Sequence, residues 1–297
     1  MTRDQPHLDT ATVRRDFDRA SAGYDESAVL QHRVREQLLA RLDWVRITPA
    51  VIVDLGCGTG RAARALSTRW PEARVLAVDS APGMLRQAAQ HRDAGQRLEL
   101  LHADARALPL PAASVDLVFS SLMLQWCDDP DSVFAECLRV LRPQGLLSFT
   151  TLGPGTLAEL RAAWRAADDY EHLSPFADMH DLGDGLLRTG FAEPVLDIER
   201  YTLTYGDVRR LMRDLKAIGA QNATAGRPRG LTGRRRLQAV EAAYEQYRHE
   251  GLLPASYEVV FGQAWAPAAD AGRSRRRRDE FAIAAAMIGR RQGQPRG

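Results

Sequence analysis

The run Val51-Ile-Val-Asp-Leu-Gly-Cys-Gly-Thr-Gly60 couples an apolar segment to an acid and then to three alternating glycines. The apolar part reads as a buried strand. The glycines read as a tight turn that opens a helix, because a residue without Cβ lets the backbone come close to a ligand. A nicotinamide or flavin site would place G-x-G-x-x-G here. Counted from Gly56, the third glycine of that pattern falls on Arg61, so the fingerprint is absent.

On either side of this run the hydrophobic pattern is regular. It predicts strands at 51–55, 74–79, 98–103, 115–121 and 145–152, and helices at 60–70, 81–91, 130–142 and 155–168. Strands separated by helices imply parallel βαβ units with right-handed crossovers. Val75-Leu-Ala-Val78 and Val115-Asp-Leu-Val-Phe119 suit a sheet covered on both faces. Upstream, 10–43 reads as two short helices. Val13, Phe17 and Ala20 share a face, Ser21-Ala-Gly-Tyr24 interrupts it, and Leu30, Val34, Leu38 and Leu42 resume it. Downstream, 194–205 and 257–261 read as two further strands around a mostly helical insertion at 206–250. The fold expected is α/β, with a mostly parallel seven-stranded sheet, N-terminal helices and a helical insertion before the last strand. Its segments are a helical lid at 1–45, a ligand-binding domain at 46–205, the insertion, the last strand at 251–268 and a basic, flexible tail at 269–297.

Composition narrows the class. Hydrophobic residues at 45% and charged residues at 26% are globular values. No apolar run approaches the roughly 18 residues of a membrane span, and the polar N-terminus does not resemble a signal peptide. Cys57, Cys127 and Cys137 suit neither a disulfide framework nor a metal site. A cytoplasmic protein without metal is expected, with a monomer as the default. The net charge is only +2. Of the 40 Lys and Arg residues all but Lys216 are Arg, and Asn222 is the only Asn.

Asp54, Gly56, Gly58 and Gly60 fill D-x-G-x-G-x-G, which resembles the first motif of the class I S-adenosylmethionine-dependent methyltransferases, a Rossmann-like fold. In an open parallel sheet the ligand sits beyond the carboxyl ends of the strands. The second strand ends at Asp79, where an acid accepts hydrogen bonds from ribose hydroxyls. The third ends at Asp104, placed to accept from an adenine amino group, with the Ala105 amide reaching a ring nitrogen. Met84 and Leu85 are placed to sandwich the adenine. Ser121 and Gln125, after the fourth strand, line the methyl-donor end. Each residue also has a plainer reading: strand-end acids cap helices, and Met84 suits a core. Their register at successive strand ends favours the cofactor reading.

Over nearly its whole length the chain resembles the malonyl-acyl-carrier-protein O-methyltransferase family of biotin synthesis. The resemblance rests on Phe17-Asp-Arg-Ala-Ser-Ala-Gly-Tyr24, Asp116-Leu-Val-Phe-Ser-Ser-Leu-Met-Leu-Gln-Trp-Cys127, Ser148-Phe-Thr-Thr-Leu152 with Gly155, and Leu215-Lys-Ala-Ile-Gly-Ala220. Gly226-Arg227 and Leu231-Thr232 also match, whereas the residues after about 266 do not anchor to the family. It implies methylation of the free carboxylate of a carrier-bound malonyl thioester, with S-adenosylhomocysteine as the second product.

A carboxylate is ionised near neutral pH, so attack on a sulfonium methyl needs no general base. No His–Asp dyad is expected at the site, and His7, His91, His102 and His249 read as surface residues. Lys216 borders the apolar face of a helix predicted at 208–218. It reads either as a snorkelling surface cation or, in a chain that otherwise uses Arg, as a flexible point charge for the substrate carboxylate or thioester carbonyl. Asn222 reads either as a second orienting group or as a turn residue. Tyr24 is either a lid closing over the cofactor or core. Arg227, Arg229 and Arg234 to Arg236 are placed to steer an acidic acyl carrier protein, or form an ordinary solvated face. The Arg275–Arg278 run reads as solvated. The nearest rival is another small-molecule carboxylate O-methyltransferase. A nucleic-acid methyltransferase would need an Asn/Asp-Pro-Pro-aromatic segment where Leu124-Gln-Trp126 stands. A non-catalytic cofactor-binding protein is the third reading.

Overall fold

The computed structural model describes residues 8–92, 95–170, 172–220, 222, 224 and 233–269. Three helices come first: α1 (Thr10–Ala20), α2 (Tyr24–Ser27) and α3 (Val29–Arg41). Two were expected. The additional break falls at buried Ala28, whose backbone leaves the helical region. The parallel units follow as β1 (Val51–Leu55), α4 (Arg61–Arg69), β2 (Arg74–Asp79), α5 (Pro82–Gln90), β3 (Leu98–His102), β4 (Val115–Ser121), α6 (Pro130–Val140) and β5 (Leu141–Leu152). The remainder is α7 (Ala158–Ala167), α8 (Met179–Thr189), β6 (Ala192–Tyr205), α9 (Val208–Ala217), α10 (Arg234–Tyr244) and β7 (Leu253–Trp265).

The seven strands lie in the order β3-β2-β1-β4-β5-β7-β6. The first five run parallel, and β7 is antiparallel to both β5 and β6. Strand order reverses direction between β1 and β4, so a crevice opens there above the carboxyl ends. Residues alternate between two buried layers, as a period of two demands. Ile52, Val75 and Ala77 face α3, α4, α7, α9 and α10, whereas Val53, Leu76 and Val78 face α6 and α8. Each buried Leu, Val or Phe contributes roughly 1.5–3 kcal/mol relative to exposure.

Helix ends are fixed locally. Asp129 and Asp207 accept from the first-turn amides of α6 and α9. Helix α8 was not expected from sequence, because Gly183 and Gly185 lower its propensity. Asp178 caps it, Gly190 at φ +103° ends it, and Leu182 and Leu186 bury it. Strand β7 is longer than the 257–261 expected, because pairing with β6 from Leu253 to Trp265 overrides Pro254 and the weak strand formers beside it. Residues 270–297, which include the tail and its arginine run, lie outside the described residues, as do His7, Gly226, Arg227, Arg229, Leu231 and Thr232.

Candidate active site

At the turn after β1, Gly56, Gly58 and Gly60 have φ of +74°, +53° and +77°, the left-handed region that disfavours a side chain. Their roles differ. A Cβ on Gly56 would fall 2.3 Å from Met123 Cγ, and one on Gly60 would fall 2.9 Å from the Ala88 Cβ. A Cβ on Gly58 would meet nothing within 4 Å, so Gly58 is the glycine that leaves room for a ligand. Gly60 packs α4 against α5 and does not line the cleft.

Asp79 ends β2 and lines that cleft. Its two carboxylate oxygens accept from the Gly58 amide at 2.9 Å and the Ala81 amide at 2.8 Å. Burial raises its pKa above the usual carboxylate range, and these amide bonds oppose the rise. With the Ser80 amide also donating, three of its roughly four acceptor sites are used and the remainder faces the cleft. Met84, Asp104, Ala105 and Ser121 also line the cleft. Leu85 instead packs on the core.

Three site residues sit differently from the sequence reading, and one was missed. Asp54 lines neither principal cavity. It is 1% exposed beneath the turn and accepts from the Ala63 amide, one of the donors that the start of α4 leaves unpaired. Asp104 lines the cleft but does not stand alone: Arg106 grips it through Nε at 3.0 Å and Nη2 at 2.7 Å, which holds its carboxyl below the ordinary range. Arg106 itself lines the cleft and was missed, since only the turn after β3 folds it back. Gln125 belongs to a second cavity. Its amide donates to the Leu122 carbonyl at 2.7 Å and accepts from Thr151 Oγ1 at 3.2 Å.

The second cavity, of about 650 Å³, lies beside the first and is lined by Lys216, Asn222, Tyr24, Gln125 and His172 among others. Phe17, Tyr24, Leu122 and Trp126 line both cavities and form the wall between them. Phe17 meets Trp126 edge to face at 5.2 Å. Leu122 holds φ +52°, fixed by bonds from its amide to the Thr150 carbonyl and hydroxyl. Such backbone in a non-glycine residue is uncommon and clusters at sites; no sequence pattern announced it. The Tyr24 hydroxyl makes no hydrogen bond among the described residues. Burial, with Asp79 and Asp25 nearby, raises its pKa and keeps it a neutral donor.

The Lys216 side chain makes no ion pair among the described residues and lines only the larger cavity. Asn222 does both things read for it: it lines that cavity, and its carbonyl accepts from the Thr224 amide at 2.9 Å in a turn. His172 of a His–Asp pair, not expected, also lines this cavity. His172 Nε2 lies 2.7 Å from Asp168 Oδ1, and its ring stacks on Trp164 at 3.7 Å. Arg236 pairs with Asp168 at 3.0 Å. Sequence separation hid this cluster, which joins α7, the loop after it and α10. His91, His102 and His249 are exposed as expected.

Two acids tie α1 and α2 across the cleft. Asp18 accepts from the Gly83 amide at the start of α5. Asp25 accepts from Thr59 Oγ1 at 2.9 Å and pairs with Arg61 at 2.9 Å, beside the glycine turn.

Comparison with known proteins assigns this arrangement. Residues 53–149 match the family described as a methyltransferase domain. The chain is 53% identical over 275 residues to the malonyl-(acyl-carrier protein) O-methyltransferase of Methylovorus sp. strain MP688, covering 91% of this chain and 93% of that one. It is 52% identical over 282 residues to that of Laribacter hongkongensis, covering 92% and 94%. The chain belongs to the malonyl-(acyl-carrier protein) O-methyltransferase family. The YcgJ protein of Bacillus subtilis aligns with a TM-score of 0.54 at 15% identity, covering 78% of this chain and 98% of that one, which shows the shared fold alone. As a member of the O-methyltransferase family, the chain is an S-adenosylmethionine-dependent enzyme, and the cleft at Gly58, Asp79 and Met84 fits that cofactor: it has backbone room, a carboxylate and an apolar slot. No described helix is long and apolar enough to cross a membrane.

Proposed function

We propose that the protein methylates the free carboxylate of malonyl-acyl-carrier protein, or of malonyl-CoA, giving the methyl ester that primes pimeloyl synthesis in the biotin pathway. The observation that carries this is the pair of cavities meeting at Phe17, Tyr24, Leu122 and Trp126, with the glycine turn on one side and Lys216 on the other. S-adenosylmethionine, when bound, supplies an electrophilic methyl carbon on a sulfonium. A carboxylate oxygen forms the new C–O bond as the C–S bond breaks, and no proton moves. The chain therefore needs no base and contributes alignment and exclusion of water.

Gly58 and Asp79 hold the ribose end, and Met84 and Ala105 flank the adenine. Asp104 acts there through Arg106. Ser121 lies at the methyl-donor end. The neutral Tyr24 hydroxyl donates to the substrate across the wall. Lys216 pairs with the malonyl carboxylate or its thioester carbonyl, and Asn222 shapes the same wall. The cofactor cleft, at about 140 Å³, is smaller than the roughly 300–1,000 Å³ of ligand sites. Within the segment read as a lid, α1 and α2 thus shift to admit the cofactor, while α3 stays packed on the sheet. The enzyme works as a cytoplasmic monomer without metal, and an acidic carrier is its macromolecular partner.

The test is methyl transfer from labelled S-adenosylmethionine to malonyl-, succinyl- and acetyl-carrier. Label on the malonyl carrier as a base-labile ester, and none on acetyl, is expected. Tight cofactor binding without label on malonyl would overturn the substrate reading and turn attention to other small carboxylates.

A further inference from the structure

Over much of the surface, exposed arginine already has an acid. Arg74, Arg139, Arg188 and Arg248 each hold a carboxylate at 2.6–2.8 Å. The larger cavity differs. It is open to solvent, and the exposed residues among its described lining are Arg15, Arg19 and Lys216, all cations. Asp16, half-buried, is the only acid among the described lining residues. None of the three cations makes an ion pair among the described residues. Arg15 donates to the Thr12 hydroxyl at 2.7 Å, a neutral partner that leaves its charge uncompensated.

Two helices form this rim. Arg15 and Arg19 stand four apart, on one face of α1. The end of α9 packs against the same helix. Gly219 follows α9 at φ +73°, and a Cβ there would fall 3.2 Å from both the Asp16 carbonyl oxygen and Phe17 Cδ1. Arg213, exposed and three residues before Lys216, extends the charge along α9. Its Nε reaches the Arg209 carbonyl at 3.4 Å, and it has no acid among the described residues. Like charges brought together without an acid repel one another. An anionic surface from outside the chain would relieve that repulsion.

We infer that the acidic carrier docks on this rim, against Arg15 and Arg19 of α1 and Arg213 of α9, so that its thioester enters the cavity between the two helices. The inference rests on the malonyl-carrier reading above, in which Lys216 already serves the thioester. Other unpaired arginines suit the carrier less well. Arg165 lines a separate cleft together with Asp168 and Asp169. Arg234 and Arg235, at the start of α10, line neither principal cavity. Attraction of this kind acts on encounter and is screened by salt.

The test compares kcat/KM for malonyl-carrier with kcat/KM for malonyl-N-acetylcysteamine, a thioester with no carrier body. In Arg19→Glu the ratio of the first to the second is expected to fall about tenfold, the scale of one charge-assisted hydrogen bond. The loss should lie in KM for the carrier rather than in kcat. Arg213→Glu should shift the ratio in the same direction, and Arg19→Gln, which removes the charge without reversing it, should show a smaller fall. Added salt should lower the ratio in wild type and change it less in Arg19→Glu. An unchanged ratio in Arg19→Glu, or an equal fall in Arg165→Glu or Arg235→Glu, overturns the docking rim. Wild-type protein that methylates neither thioester overturns the substrate reading itself, and the rim with it.

Discussion

Asp54 is a residue of the glycine motif that lies beneath the turn and outside both cavities. Burial pushes its carboxyl up to about 7, Asp79 adds to the rise, and the Ala63 amide with Arg35 and Arg64 opposes it. Its Oδ2 has no hydrogen-bond partner. A carboxyl raised in the folded state favours folding below its unfolded pKa, and that contribution is lost as pH rises towards 7. The loss runs at up to about 1.4 kcal/mol per pH unit. Asp54→Asn keeps the acceptor for Ala63 and removes the titration. Its Tm relative to wild type is expected to improve from pH 5 to pH 8, and an equal offset at both pH values would contradict the assignment. Lys216 is proposed as the converse, a residue of the larger cavity that serves the substrate. Removing one charged partner of a hydrogen bond costs about 1.5–3 kcal/mol. Lys216→Ala should therefore lose about 10- to 100-fold in kcat/KM on malonyl-carrier, while its cofactor Kd, measured by calorimetry, stays put. Full turnover would return Lys216 to the surface.

At the scale of elements, α1 and α2 cover the cleft through two carboxylate clasps. Gly83 permits the first, since a Cβ there would fall 2.6 Å from Ser21 Oγ and 2.7 Å from the Asp18 carbonyl. The second joins Asp25 to Thr59 and Arg61. Burial works against the Asp25 charge, but Arg61 and Thr59 outweigh it and hold the carboxyl below its ordinary value. The clasp is thus ionised throughout the neutral range. Asp25→Asn weakens the Arg61 pair and leaves α2 less firmly seated. Cofactor Kd is expected to rise about three- to tenfold, the effect of roughly 1 kcal/mol, with little change in Tm. A Tm loss of many degrees with unchanged Kd would make the clasp structural only. Element boundaries were legible where propensity and burial agreed, as in β1, β2 and β4, each found over the residues expected. They were not legible in α8, where burial of Leu182 and Leu186 overrides two glycines.

The whole molecule sets the two cavities side by side. The crevice between β1 and β4 receives the glycine turn, Asp79 and Ser121 from consecutive strand ends. The antiparallel pair β6 and β7 then returns the chain so that α9 and α10 stand over the far end of the same sheet. Only this return brings Lys216 into a cavity with Tyr24, nearly two hundred positions earlier in the chain. The cluster of Trp164, Asp168, His172 and Arg236 combines residues from α7, its following loop and α10, an assembly no local pattern encodes.

The amino-acid sequence by itself determined the parallel sheet, the glycine turn and the ligand-side acid Asp79, because hydrophobic period, backbone freedom and strand-end position are local properties. It also singled out Lys216, through the rarity of its type. Tertiary structure alone decided how the acids are partnered. Asp54 turns inward to the start of α4, and Asp104 pairs with Arg106. It alone joined His172, Asp168, Trp164 and Arg236 into one wall. The physical reason is common to both: the partner of a charged group depends on distances between elements, and those are fixed by how the two layers of helices pack on the sheet.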